Sequence, residues 1–348
     1  MELHLNQTEM FLFYERIGSS WFTDITNTFL TAPLGFSGFV LNLFSFYIFT
    51  LIKVKQTKLY KYLRVYSLNG SMLCLVSGLS FLCASPRYTP FYLVLPWRIF
   101  RAYFNTMIFT TNYSIAVLFD ILIAFDRLSI FYNRLQKVTR FKPNLMIFLI
   151  IFFSIFINLP IGFSYYVKSE EEILYELKHD LSSFVYNGRT AFFYSQTGTI
   201  ITYIQIFIRD ILTLIVEIIT SSVAFYFIRN VNLKRLNINT NLSRVSIFAN
   251  TNTSINSTVS KIIRKKQSKD RRLLSMNLVL NVSSTISHLI VMTSYVYASK
   301  GTSMQFYIWL TIGYFGHSLK NFSNFFIFYL FDLNFKNKLN NLFSRSKK

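Results

Sequence analysis

The stretch "LFDILIAFDRLSIFYNRLQ", Leu118 to Gln136, sets Asp120 inside an otherwise apolar run and closes that run with Asp126-Arg127-Leu128. Either it is an amphipathic helix of a soluble domain, or it is a membrane span whose charges have a task. Composition decides between the two. The 348-residue chain is 52% hydrophobic and 18% aromatic, with 39 Phe, and its mean hydropathy is positive at +0.37. That is too apolar for a soluble domain of this length, so the chain is expected to lie in a bilayer.

A helix needs about 20 apolar residues to cross a hydrocarbon core of roughly 30 Å. Seven runs qualify, at about 29–52, 63–83, 100–131, 144–165, 210–228, 273–297 and 306–331. The third is overlong and polar at both ends. The fifth and sixth are interrupted by Glu217, Asn281 and His288. The expected fold is therefore an all-α membrane protein, a seven-helix bundle over 29–331. A tail, 1–28, precedes it, and a short amphipathic segment with a basic end, 332–348, follows.

Lys and Arg set the orientation, because short cytoplasmic loops carry the positive excess. With the N-terminus outside, 25 of the 36 basic residues fall on the cytoplasmic side and eight on the outer side, Arg16, Arg87, Arg98, Arg101, Lys168, Lys178, Arg189 and Lys300. The inner set includes Lys53 to Arg64, Arg134 to Lys142, the run from Arg229 to Arg272, and the C-terminal tail. Such loops also account for the net charge of +21: they hold topology and lie against anionic lipid, at about 1 kcal/mol per residue. No nucleic-acid-binding motif offers another reason for the charge.

Met1 to Asp24 lacks the basic-then-apolar order of a cleavable signal, so the first span is expected to serve as the targeting signal. Asn6-Gln7-Thr8 is a glycosylation sequon on this outer tail, although sequons at Asn241, Asn252 and Asn256 fall in the loop assigned inside. The second outer loop carries Glu170, Glu171, Glu172, Glu176 and Asp180, either as a solvated acidic loop or as an attractor of cationic ligands. Residues 230–269 form the third inner loop. They are rich in Asn, Ser and Thr, and the middle is expected to be disordered.

Cys74 and Cys83 lie nine apart in the second span and cannot readily bridge each other, so no outer disulfide is expected. The four His are scattered, and neither metalloprotease, nucleophile-elbow nor phosphate-cradling motifs occur. No enzyme activity, metal or cofactor is expected.

On a helix advancing about 100° per residue, Arg101, Asn105, Phe109, Asn112, Ala116, Asp120, Ile123 and Arg127 form one stripe of the third span. Ionised groups in a span face the bundle interior or water, since lipid exposure costs about 2.5 to 3.5 kcal/mol even on the mildest scale. The third span is thus expected at the centre of the bundle.

Four features, in order and each on the expected side, resemble the rhodopsin-like (class A) G-protein-coupled receptors. Asp126-Arg127-Leu128 is similar to that family's acid-Arg-aromatic motif, with Leu128 in place of Tyr. "GFVLN", Gly38 to Asn42, is similar to the first-span motif. "NFFIFYLFDLNFK", Asn324 to Lys336, resembles the seventh-span Asn-Pro-x-x-Tyr motif and the start of the eighth helix. "NFKNKLNNLFSRSKK" resembles the eighth helix itself, with Phe335, Leu339, Leu342 and Phe343 on one side. The resemblance covers roughly Phe29 to Phe343.

The departures are equally specific. Phe325 and Phe328 stand where the seventh-span Pro and Tyr belong. The sixth span has "NVSSTISHLIV" in place of a Cys-Trp-x-Pro hinge, the fifth lacks its Pro and the fourth its Trp. Ala102 holds the place of the third-span Cys, and Asn69 or Gly70 that of the sodium-binding Asp. The pattern looks like a divergent invertebrate chemosensory or peptide receptor.

The resemblance implies that Asp126 restrains Arg127 in the resting state, that Asn324 and Phe328 belong to the activation switch, and that activation opens a cleft for a heterotrimeric G protein. Arg264 to Arg272 would then contact the G protein, or simply hold topology. It also implies an outward-facing pocket, here Arg101, Asn105, Phe109, Asn112, His288, Tyr295, Tyr314 and His317, with no Asp to clamp an amine. A peptide or a small chemosensory cue is the expected ligand at the plasma membrane.

Lys320 lies deep in the seventh span, and an unpaired charge there costs several kcal/mol. Asp120 is its candidate counter-ion, Lys320 standing in for the missing sodium ion; water or Glu217 are the competing partners. An alternative function uses the same groups: a proton- or ion-coupled transporter would place Asp120, Glu217 and Lys320 near the midplane, though the chain shows no repeated halves. The orientation is tested by a tag placed before Met1, which is expected to stain on intact cells; staining only after permeabilisation would contradict the receptor topology.

Overall fold

Inside hydrocarbon a backbone N–H has no water to donate to, so each apolar run closes its hydrogen bonds internally as a helix. The computed structural model describes residues 21–52, 58–83, 106–129, 141–169, 187–245, 254–298 and 303–345, with a few single positions between them. Asn6, Arg101, Asn105, Ala102 and most of the acidic second outer loop lie outside the described residues, as does the side chain of Tyr295.

Among the described residues the chain forms seven long helices and a short eighth. Helix α1 (Ala32–Leu51) is led in by a helical turn, Trp21–Ile25, and a π-helical turn, Thr26–Thr31. Then follow α2 (Lys58–Cys83), α3 (Thr106–Leu128) and α4 (Pro143–Asn158, ending in a 3-10 turn, Leu159–Phe163). Helix α5 is a continuous rod of Gln196–Ile206, a π-helical Phe207–Leu212 and Thr213–Val245. It is followed by α6 (Ser254–Ala298), α7 (Ser303–Phe331) and α8 (Leu333–Arg345). Between α4 and α5 a two-stranded antiparallel hairpin pairs β1 (Tyr165–Val167) with β2 (Asn187–Arg189), Tyr166 opposite Gly188.

Helix α3 borders α2, α4, α5 and α6, while α7 closes the ring between α6 and α1. Helix α4 is the most lipid-exposed. Phe148, Phe152 and Phe156, one turn apart, form a stacked outward ladder, and Ser154 and Asn158 turn inward, where Asn158 Nδ2 donates to Ser114 Oγ of α3 at 3.0 Å. Apolar outside and polar inside inverts the soluble pattern, as a lipid solvent requires.

Several boundaries differ from those expected. The first helix begins at least at Trp21, within the stretch assigned to the outer tail, and Thr23, Asp24, Thr26 and Asn27 are buried. The fifth begins at Gln196 and not at 210. Arg209 and Asp210 sit in its middle because they neutralise each other side by side, with Arg209 Nε and Nη2 donating to Asp210 at 2.8 and 2.7 Å. In the stretch 230–269, α5 runs on to Val245 and α6 starts at Ser254, while 246–253, in the middle expected to be disordered, lies outside the described residues. Six described helices are long and apolar enough to cross a membrane on length and composition alone. Helix α7 is long enough, but His317, Lys320, Asn321 and Asn324 lower its hydropathy, and all four are buried in the bundle.

Helices α1 and α2 cross where Gly35 meets Gly78: a Cβ added to Gly35 would stand 2.7 Å from Gly78 Cα, inside any real contact distance. Gly35→Val is therefore expected to force the helices apart and lower the thermal unfolding midpoint in detergent, an overpacking cost of about 1–3 kcal/mol. Val40→Leu, on the lipid face of the same helix, should leave the midpoint unchanged; equal midpoints for both variants would contradict the close crossing.

Candidate functional site

Halfway along the bundle, four helices contribute ionisable or hydroxyl side chains to one buried cluster. Asp120 of α3 and Lys320 of α7 are 1% and 4% exposed, and Lys320 Nζ donates to Asp120 Oδ2 at 2.7 Å. Ser284 of α6 bridges onward, its Oγ 3.1 Å from Asp120 Oδ2 and 2.8 Å from Glu217 Oε1 of α5. His288, one turn along α6, has Nδ1 3.1 Å from Glu217 Oε2. The ammonium of Lys320 also lies 5.7 Å from the ring centre of Tyr66 of α2, within range of a cation–π attraction. Burial on this scale is tolerable only because the charges meet opposite charges or hydrogen bonds.

An aromatic layer covers the cluster. Phe109 and Tyr113 of α3 stack at 6.4 Å, and Tyr113 meets the rings of His288 and His317 edge-on at 5.2 and 4.9 Å. Tyr314 meets Phe109 at 5.3 Å and Phe81 of α2 at 5.3 Å. His317 is held by Asn321, whose Nδ2 lies 3.0 Å from His317 Nε2, and its Nδ1 lies 3.4 Å from Ser287 Oγ. Asn321 in turn ties α7 to α1, its backbone O accepting from Asn42 Nδ2 at 2.9 Å.

At the inner end, Arg127 is ion-paired with its neighbour Asp126, and Arg127 Nε donates to Asp126 Oδ2 at 3.2 Å. Leu128, in the place where the resemblance expects Tyr, is buried between Ala224 of α5 and Leu274 of α6. Asn324 Nδ2 donates to Tyr66 OH at 3.4 Å, linking this level to the cluster above. Phe328 packs on Phe49 of α1 at 5.1 Å and on Phe335 of α8 at 5.9 Å. Asp332 caps α8 by accepting from the backbone N–H groups of Asn334 and Phe335 at 2.9 and 3.3 Å, and Tyr60 OH of α2 donates to the same oxygen at 3.2 Å.

The sequence-derived residues are therefore distributed unevenly. Phe109, Tyr314, His317 and His288 come together around Tyr113. Asn112 stands apart, since its side chain donates to Ile108 O of its own helix at 2.8 Å and its backbone O accepts from Asn69 of α2 at 2.8 Å. Sequence reasoning missed Ser284, Tyr66, Tyr113 and the cap at Asp332. A signal for Ser284 was present: Asn277, Asn281, Ser284 and His288 recur at helical spacing as a buried polar stripe.

The contact between Asp120 and Lys320 carries a double-mutant prediction. Asp120→Asn and Lys320→Met should each reduce folded surface expression several-fold, because each leaves an isolated buried charge, whereas the double variant should recover part of the loss. Strictly additive losses would mean that the two side chains do not interact.

Comparison with known proteins separates fold from sequence. No family model matches the chain, and no curated protein matches its sequence. Among solved structures, the crystal structure of squid rhodopsin is similar with a TM-score of 0.61, over 93% of this chain and 86% of that one, at 13% identity. The chain has the seven-helix fold of rhodopsin.

Proposed function

We propose that the chain is a receptor of the plasma membrane, N-terminus outside, that transmits binding of an extracellular ligand to a heterotrimeric G protein. The observation that carries this reading is the inner end of α3, on a rhodopsin-type bundle: Asp126 holds Arg127, and Leu128 is wedged between α5 and α6. A restrained Arg beneath a closed helix junction is a two-state element. Ligand can act on it only by favouring the open state. In that state Arg127 leaves Asp126, α6 swings out from Leu128, and the basic stretch Arg264 to Arg272 meets the G protein.

The ligand enters from outside onto the aromatic layer of Phe109, Tyr314, His317 and His288; Arg101, Asn105 and the side chain of Tyr295, outside the described residues, join the proposed pocket on the sequence resemblance alone. An acidic outer loop and the lack of an amine-clamping Asp favour a peptide with cationic residues, with a small chemosensory cue second. No proline hinge exists in α6. The buried amides of Asn277 and Asn281, which have no partner among the described residues, supply the weak point where α6 can bend.

A second reading, an ion- or proton-coupled transporter, is favoured by the continuous chain Lys320, Asp120, Ser284, Glu217 and His288 across four helices. Ligand-stimulated guanine-nucleotide exchange in membranes separates the two, using a peptide library and a panel of G proteins. Arg127→Ala should bring stimulated exchange down to the basal rate with surface level and ligand binding retained. Asp126→Asn should raise basal exchange. Unchanged basal exchange in Asp126→Asn, with a full response in Arg127→Ala, would reduce the pair to a headgroup anchor, and proton-driven flux in vesicles would favour the transporter.

A further inference from the structure

The hydrogen bonds around Ser284 demand one more proton than the usual ionisation states supply. Its hydroxyl lies within hydrogen-bond distance of two carboxyl groups, Asp120 Oδ2 at 3.1 Å and Glu217 Oε1 at 2.8 Å. A hydroxyl has one proton and serves one of them, so the other contact must be donated from the carboxyl side. Asp120 is the ionised partner, since the same oxygen accepts from Lys320 Nζ at 2.7 Å. The carboxyl that donates is Glu217.

His288 supplies no positive charge to balance an ionised Glu217. Its Nδ1 is 3.1 Å from Glu217 Oε2, while its Nε2 is buried with no partner among the described residues. An imidazolium would leave an N–H donor bare in that position, at a cost of several kcal/mol, whereas a neutral ring protonated on Nδ1 leaves only a lone pair there. His317 is neutral as well, because its Nε2 faces the donor-only Nδ2 of Asn321 at 3.0 Å. The remaining groups facing this region are the ammonium of Lys320 from α7, Tyr66 from α2 and Tyr113 from α3. With one proton on Glu217 the cluster holds one cation, Lys320, and one anion, Asp120.

We propose that Asp120, Ser284, Glu217 and His288 form a binding site for a single proton, carried on Glu217, whose release to water loosens α6 from α3 and α5. Without that proton, Ser284 faces two carboxylates with one donor. One of its two contacts turns into lone pair against lone pair, and an uncompensated negative charge is left in hydrocarbon. Helix α6 carries both Ser284 and His288, so it is the element that loses its ties. The site rests on hydrogen-bond geometry alone and holds whichever function the bundle serves.

Infrared difference spectroscopy of the purified full chain in lipid nanodiscs tests this without a ligand. A protonated-carboxyl C=O band should be present at neutral pH, should shift on carbon-13 labelling of glutamate side chains in the unaltered protein, and should be absent in Glu217→Gln. In His288→Phe it should persist but move to higher frequency, the C=O having lost one donor. As pH is raised, the band should vanish over the interval in which the thermal unfolding midpoint falls, and Glu217→Gln should show no such fall. A band that appears only in His288→Phe would mean that Glu217 and His288 form an ion pair, and would overturn the proposal. So would a band insensitive to the glutamate label.

Discussion

A charge in hydrocarbon cannot be left alone, and the contact between Lys320 and Asp120 is where this bundle meets that constraint. Lys320 sits on a helix too polar to qualify as a span by hydropathy. Its insertion depends on α3 presenting Asp120 at the same depth. Once α3 and α7 are joined there, the remaining polar groups have little freedom. Ser284 and His288 fix the rotation of α6, Glu217 that of α5, and Tyr66 brings α2 against the ammonium. Helix association in lipid lacks a hydrophobic driving force, so packing and interhelical hydrogen bonds of this kind decide which faces meet.

The cluster lies between two layers of different character. Above it the rings of Phe109, Tyr113 and Tyr314 pack with those of the two histidines. Below it, beside the Asp126–Arg127 pair, aliphatic and aromatic contacts join the helices: Leu128 between α5 and α6, and Phe49, Phe328 and Phe335 joining α1, α7 and α8. Between the aromatic layer and the inner end stands the polar layer, whose hydrogen bonds are either made or broken. Such an element has discrete arrangements, and it is suited to coupling two ends of a molecule.

Much of this was legible in the sequence for physical reasons. Apolar runs long enough to cross a bilayer have few other uses. Asp120 and Lys320 stood out because intramembrane charge is rare. Boundaries were less legible, since a charge looks like a span end until its partner is known: Arg209 and Asp210 cancel each other in the middle of α5, and Asp24 is buried at the head of α1. Small polar residues were the least legible. Ser284 and Tyr66 resemble any other packing residues along one chain, and only the meeting of five helices gives them partners. Asn112 shows the opposite error, a polar residue on the right stripe that satisfies itself on its own helix.

Everything from the register of α3 against α7 to the isolation of Glu217 depends on Lys320 meeting Asp120 directly. Solid-state magnetic resonance on the full chain in lipid bilayers, with labels on the lysine side-chain nitrogen and the aspartate side-chain carboxyl carbon, measures this contact without altering a residue. The expected result is a strong nitrogen–carbon dipolar coupling that disappears in both Lys320→Met and Asp120→Asn, with the Lys320 nitrogen resonating as an ammonium. A Lys320 nitrogen coupled to no aspartate carboxyl, or one resonating as a neutral amine, would contradict it.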